Sequence, residues 1–117
     1  MRMLLHIVAV AASALLLHLT LGWAWTLGAG VLGGAVAPSR GWIVGTLGVT
    51  IGWALLVGYN FVVAPEATQT MADTMGGIIG NTPGIAIVAG TILLGALLGG
   101  LGAAAGTFAR QAIRPAQ

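Results

Sequence analysis

The chain has 117 residues, of which 58% are hydrophobic and 5% are charged, with a formal net charge of +2 and no cysteine. Soluble domains carry about 25% charged residues, so this composition excludes an ordinary soluble domain and indicates apolar helices in a membrane. The absence of cysteine excludes disulfides and thiolate chemistry, and a net charge of +2 excludes the basic surface that nucleic acid needs.

The first apolar run covers residues 4–37. It is longer than one crossing requires, since about 20 residues span a bilayer. It therefore forms either one long tilted helix or a hairpin of two short helices. The stretch Thr20-Leu21-Gly22 is the expected break of the hairpin, because glycine weakens a helix and two tryptophans, which favour the membrane interface, follow it. On this basis we predict helix 1 over about 3–20 and helix 2 over about 23–37.

Two further helices follow. We predict helix 3 over about 41–63, ended by a proline, and helix 4 over about 85–109. The segment between them, 64–84, is predicted as an outer loop that holds both acidic residues. Met71 and Met75 in this loop recur at helical spacing, so part of it could lie on the membrane surface as an amphipathic helix. A Gly-Gly pair predicts that any such helix is short.

The charged residues distinguish three spans from four. They are Arg2, Arg40, Arg110 and Arg114, with Glu66 and Asp73. Four helices bring all the arginines to one side and both acids to the other, whereas three would separate the first arginine from the rest. The positive-inside rule then favours four helices with both termini cytoplasmic. We predict one transmembrane domain over 1–117, an all-α four-helix bundle of two antiparallel hairpins in the bacterial inner membrane.

Glycine recurs in the same pattern on helices 3 and 4. The positions are Gly41, Gly45, Gly48 and Gly52, and Gly95, Gly99, Gly102 and Gly106. At about 100° per residue each set lies in a stripe roughly 60° wide, which allows another helix to approach closely. Both stripes fall in the cytoplasmic half, so we predict that they face each other and pack tightly there. Tyr59 is expected to cap their contact, and Val49 to point outward.

Few side chains in the apolar runs could carry chemistry. His6 and His18 are ionisable candidates, but they lie about 120° apart on their helix and do not form one site. Trp53 lies away from both interfacial belts, which suggests a lipid, quinone or protein contact. We therefore select His18, Trp53 and Tyr59 as candidate ligand or cofactor contacts, with plain packing as the simpler interpretation. No bound cofactor, metal site or catalytic residue is predicted.

The stretch around the second histidine also carries a local resemblance. Ala14 precedes His18 by four residues, and Trp23 and Trp25 follow. This spacing resembles the chlorophyll-binding stretch of light-harvesting polypeptides. The resemblance implies a pigment- or haem-binding subunit in which His18 is the ligand, and this is one alternative function.

The overall layout resembles small four-helix membrane proteins of bacteria, particularly the Bacteroidota, to which no activity is assigned. The matching segments are Trp23-Ala24-Trp25, Pro38-Ser39-Arg40-Gly41, Gly45-Thr46-Leu47-Gly48 with Trp53, and Gly95 to Gly106. The resemblance implies the four-helix topology and brings no activity with it.

The preferred hypothesis is a non-enzymatic accessory or scaffold subunit of a larger membrane complex, because packing surface is abundant and chemistry is scarce. Its expected partners are the lipid bilayer and either another membrane protein or a second copy of the chain. The main alternative is a small homo-oligomeric channel or carrier. Helix 2 carries more glycines than the packing of one helix pair needs. The surplus would leave a glycine face for that self-association.

Overall fold

The structure is a computed structural model that describes residues 1–37 and 40–113. It contains α1 (Arg2–Leu21), a 3-10 turn (Trp23–Trp25), α2 (Thr26–Val36), α3 (Gly41–Val63), α4 (Pro65–Ile78) and α5 (Gly84–Ile113). These residues include no strand, so the prediction of an all-α fold is confirmed for them. Three helices, α1, α3 and α5, are long and apolar enough to cross a membrane.

The first apolar run forms a hairpin rather than one long helix. α1 ends at Leu21, and Gly22 follows with a φ of 102°, a left-handed conformation that glycine adopts without steric cost. α2 has only 11 residues, fewer than the predicted 23–37, because the chain first makes the 3-10 turn. At 1.5 Å per residue α2 is about 16 Å long, roughly half the thickness of a bilayer's hydrocarbon core.

The segment predicted as an outer loop, 64–84, contains a further helix of 14 residues. Pro65 begins α4 at a position where its missing N–H costs nothing, and Glu66 in the first turn offsets the positive end of the helix dipole. The Gly-Gly pair lies in the last turn of α4, which ends one residue later at Ile78. Its first member, Gly76, packs against the Thr82 carbonyl, where a side chain would not fit.

Two contacts bring α1, α2 and α5 together at one end of the molecule. The Arg110 guanidinium near the end of α5 donates a hydrogen bond to the Ala37 carbonyl just after α2. His6, near the start of α1, lines a small cavity together with Val36, the last residue of α2. The first turn of α1, the end of α2 and the end of α5 therefore lie side by side.

Positive and negative residues consequently separate to opposite ends. We call one end the arginine end, because it carries Arg2, Arg40 and Arg110. We call the other the acidic end, because it carries Glu66 and Asp73, both on α4. Arg114, Pro38 and Ser39 lie outside the described residues. This separation agrees with the charge distribution predicted for four helices that alternate in direction.

Backbone-to-backbone contact holds α2 between α3 and α5. A methyl group added at Gly30 would lie 2.7 Å from the Gly99 carbonyl oxygen, and one added at Gly45 would lie 2.9 Å from the Gly30 oxygen. Near the arginine end, Gly34 packs in the same way against the carbonyl of Ala103. Helices approach this closely only where small residues leave the backbone uncovered.

The two glycine stripes are buried, but they face each other at one level only. Gly45 and Gly99 meet between α3 and α5, whereas Gly102 packs against α2. The remaining glycines contact other partners: Gly41 and Gly106 pack on α2, Gly48 and Gly52 on α1, and Gly95 on the Trp53 ring. The prediction that the stripes face each other along their length is therefore wrong. α2 enters between α3 and α5 and takes part of each stripe.

Tight packing among α1, α2, α3 and α5 is confined to the half of the molecule at the arginine end, whereas α4 packs closely on the start of α5 through Gly76 and Gly84. Val49, predicted to point outward, is fully buried, because its side chain fills the space beside Gly99. The buried residues of α3 end at Trp53, and none occurs from 54 to 63. The first residue of α2, Thr26, contacts Trp53, so α2 does not separate the other helices beyond this level. The half at the acidic end is open.

The division between tight and open regions can be tested on α5 alone. Gly102→Ala places a methyl group against the Leu27 carbonyl of α2, and such overpacking costs about 1–3 kcal/mol. We expect the melting temperature of the purified protein in detergent, followed by circular dichroism, to fall. The matched control is Gly90→Ala, because Gly90 has nothing within 4 Å of an added methyl group and alanine favours a helix. Equal destabilisation of the two variants would contradict this packing.

Candidate functional site

The open half contains a groove between α1 and α3 that is lined by two of the three residues selected from sequence, His18 and Tyr59. We call it the α1/α3 groove; its volume is about 830 Å³. It is lined by Leu15, His18 and Leu19 from α1 and by Ala54, Leu55, Leu56, Gly58, Tyr59 and Asn60 from α3. The walls are mainly apolar, and each wall carries at least one side chain that can form hydrogen bonds.

Trp53 forms the boundary between the groove and the packed half. Its side chain is 6% exposed, and Gly95 provides the space for its ring. The indole Nε1 donates a 3.3 Å hydrogen bond to the Thr26 hydroxyl, which donates a 2.6 Å bond to the Trp23 carbonyl. The tryptophan is therefore held by packing and by a buried polar link to α2.

His18 contacts Trp53 and also lines the groove. The two rings meet edge to face, with centroids 5.4 Å apart and an interplanar angle of 89°. The histidine Nδ1 atom is buried and has no hydrogen-bond partner within the described residues. A buried polar atom without a partner costs free energy. The ring is therefore held in place by packing, such as its contact with Trp53, and not by a hydrogen bond from Nδ1. Of the three candidate contacts, His18 and Trp53 touch directly.

Tyr59 lies in the same groove but not at the predicted place. Tyr59 and Thr91 each continue the line of the glycine stripe on their own helix, and Tyr59 is expected to cap the contact between the two helices. Instead Tyr59 faces α1 and is 63% exposed. Thr91 lines a different cavity, of about 470 Å³, between α3, α4 and α5. The rotation of α3 that brings Trp53 onto Gly95 places Tyr59 on the α1 side.

The other polar candidates lie apart from this groove. The Nδ1 atom of His6 is 2.7 Å from the Arg2 carbonyl oxygen, near the arginine end. Thr46 and Thr50 donate hydrogen bonds to carbonyls one turn earlier in their own helix, which is common for hydroxyl side chains in helices. Within residues 1–37 and 40–113, no group of three or more histidine, aspartate or glutamate side chains could hold a metal ion.

Two residues at the site were missed from the sequence. Thr26 is fully buried, although it follows two interfacial-looking tryptophans and was not selected. The available signal was that it is the only hydroxyl side chain between 21 and 37. Asn60 lines both the α1/α3 groove and the cavity beside α4, and no periodicity in the sequence marks it.

The polar link between Thr26 and Trp53 predicts a measurable coupling. Thr26→Val keeps the shape of the side chain but leaves the Trp53 indole N–H without its acceptor. Side-chain hydrogen bonds between helices of membrane proteins contribute about 0.6 kcal/mol to the free energy of unfolding on average, and up to about 1.7 kcal/mol. We expect the variant to lose about 1 kcal/mol in reversible unfolding in mixed micelles. In a Trp53→Phe background, the same change should cost less.

Thr50→Val is the matched control, because its hydroxyl bonds only to its own helix. We expect it to change the unfolding free energy by a few tenths of a kcal/mol. If Thr26→Val lowers the free energy of unfolding by the same amount in the Trp53→Phe background as in the wild type, the link between Thr26 and Trp53 contributes nothing to stability.

Comparison with known protein families, with curated proteins and with solved structures gave no match. The resemblance to small bacterial four-helix proteins stays a prediction. The function is therefore argued from the geometry of the chain itself.

Proposed function

We propose that the chain is a non-enzymatic membrane protein in which α1, α2, α3 and α5 form a four-helix bundle, and that it serves as an accessory or scaffold subunit of a larger membrane complex. The observation that carries the proposal is the distribution of its surface. Large apolar side chains cover the outward faces of α1 and α5, whereas the charges lie at the ends. Examples are Leu4, Leu16 and Leu19 on α1, and Leu93, Leu97, Leu101 and Phe108 on α5.

The use of the glycines on α2 supports an accessory subunit over a homo-oligomer. Self-association was the alternative because helix 2 carried more glycines than one helix pair needs. Gly28, Gly30, Gly33 and Gly34 each contact another helix of the same chain. The face that motivated self-association is thus already covered, and the outward faces of α1 and α5 are left for a different partner or for lipid.

The packed interior also supports this role over a channel within one chain. Val44 and Val49 are almost completely buried in the half at the arginine end, where Gly30, Gly45 and Gly99 touch through their backbones. Backbone contact at this spacing leaves no room for a water-filled path. A rigid packed half is what a scaffold requires.

The proposed orientation places the arginine end in the cytoplasm of a bacterium, by the positive-inside rule. Both termini are then cytoplasmic, and α4 lies at the outer surface of the inner membrane. The exposure of α4 supports this location: Met71 and Ile78 are 67% and 75% exposed, although both are apolar. An amphipathic helix with an uncovered apolar face is typical of the membrane interface.

The orientation can be tested with single cysteines, since the chain has none of its own. Gln69 on α4 and Gln111 on α5 are both exposed and lie at opposite ends. In cells whose outer membrane is permeabilised but whose inner membrane is intact, we expect Gln69→Cys to react with a membrane-impermeant maleimide. Gln111→Cys should react only after lysis. Equal labelling of the two before lysis, or the reverse pattern, would contradict the proposed topology.

The accessory role predicts a hetero-complex. After cross-linking in native membranes and extraction in mild detergent, we expect the tagged chain to migrate with at least one different polypeptide in a constant ratio. Leu97→Ala and Leu101→Ala together should reduce that recovery if α5 is the docking face, whereas Val62→Ala, an exposed change elsewhere, should not. A ladder of the chain alone would favour the homo-oligomer, and a monomer without partners would contradict both.

A further inference from the structure

The α1/α3 groove combines apolar walls with hydrogen-bonding groups on two sides. His18 stands on the α1 wall, and Tyr59 and Asn60 stand on the α3 wall. The remaining lining residues are apolar, and no lining residue is an acid, a lysine or an arginine. A charged ligand would therefore lose its hydration without gaining a partner charge. The groove suits a neutral, lipophilic molecule.

The environment of His18 defines what its wall offers. Because the buried Nδ1 has no partner within the described residues, a proton on that atom would donate to nothing. A ring that carries its proton on Nε2 instead offers an N–H donor, and His18 lines the groove. The Tyr59 hydroxyl and the Asn60 amide can also donate.

We infer that the α1/α3 groove binds the ring of an apolar-tailed quinone, with His18 donating to one carbonyl and Tyr59 or Asn60 donating to the other. A quinone is neutral, flat and lipophilic, and its two acceptor oxygens lie on opposite sides of the ring. Donors on two facing walls match that arrangement. An acyl ester has its carbonyl on one side only and would leave one wall unpaired.

Gly58 lines the groove on the α3 side and adds no side chain to it. A methyl group added at Gly58 would meet nothing within 4 Å, so no packing contact within the described residues requires glycine there. A side chain at this position would instead occupy the groove. A leucine at Gly58 therefore fills the proposed site without forcing the helices apart, which makes it a suitable blocking variant.

The inference rests on the membrane placement in the proposed function, but not on any partner. The test uses the purified full chain in detergent, titrated with a decyl-tailed benzoquinone, and the readout is quenching of tryptophan fluorescence. We expect saturable quenching for the wild type. His18→Leu should raise the apparent Kd about threefold to tenfold, the range for one lost hydrogen bond, and Gly58→Leu should raise it at least tenfold.

Two matched controls separate the groove from general effects. His6→Leu removes the other histidine of the same helix, which lines a different cavity. Gly90→Leu adds the same side chain at another glycine with open space around it. Both variants should bind within twofold of the wild type. If His18→Leu does not fold, Tyr59→Phe replaces it, because the exposed hydroxyl is not needed for packing.

Three results would overturn the inference. They are quenching that does not saturate, equal binding by Gly58→Leu and Gly90→Leu, and displacement of the quinone by methyl decanoate at equal concentration, which would assign the groove to a lipid ester. Resistance of the chain to alkaline carbonate extraction is measured separately. Failure there would refute the membrane placement itself, whereas failure of the titration alone would refute only the ligand.

Discussion

Direct contact between the backbones of α2, α3 and α5 is the constraint on which the rest of the structure depends. Gly30, Gly45 and Gly99 touch without intervening side chains, so the three helices are held by many weak atomic contacts at short range. This contact fixes the rotation of each helix. It directs Val44 and Val49 inward, and it leaves the large leucines of α1 and α5 on the outside.

The short length of α2 turns this packing into an asymmetric molecule. Where α2 begins, at Thr26, the close contacts end and the open half starts. Trp53 closes the packed half at this level and is the one aromatic side chain of α3 that is buried. The His18 ring packs edge to face with it and also lines the apolar groove. The candidate site is thus a consequence of where one helix stops.

Sequence alone predicts the helical class, the break at Gly22 and the use of glycine in packing, because these follow from local composition and spacing. It does not predict which neighbour each glycine touches. A stripe about 60° wide faces one direction, but a third helix, α2, enters between the two striped ones and divides their contacts. Val49 and Tyr59 were misplaced for this reason. His18 and Trp53 could be selected singly, whereas their contact depends on how α1 and α3 are rotated.

The position of α2 has a consequence for the order of assembly. Gly34 of α2 packs against Ala103 of α5. The Thr107 hydroxyl, also on α5, donates a hydrogen bond to the Gly34 carbonyl across 73 residues of sequence. Those partners are synthesised about 70 residues after Gly34. Until they arrive, the glycine face of a helix about 16 Å long has no helix packed against one side. The hairpin of α1 and α2 therefore reaches its final packing only after α5 has been synthesised, and a chain that stops before α5 lacks the helix that secures α2.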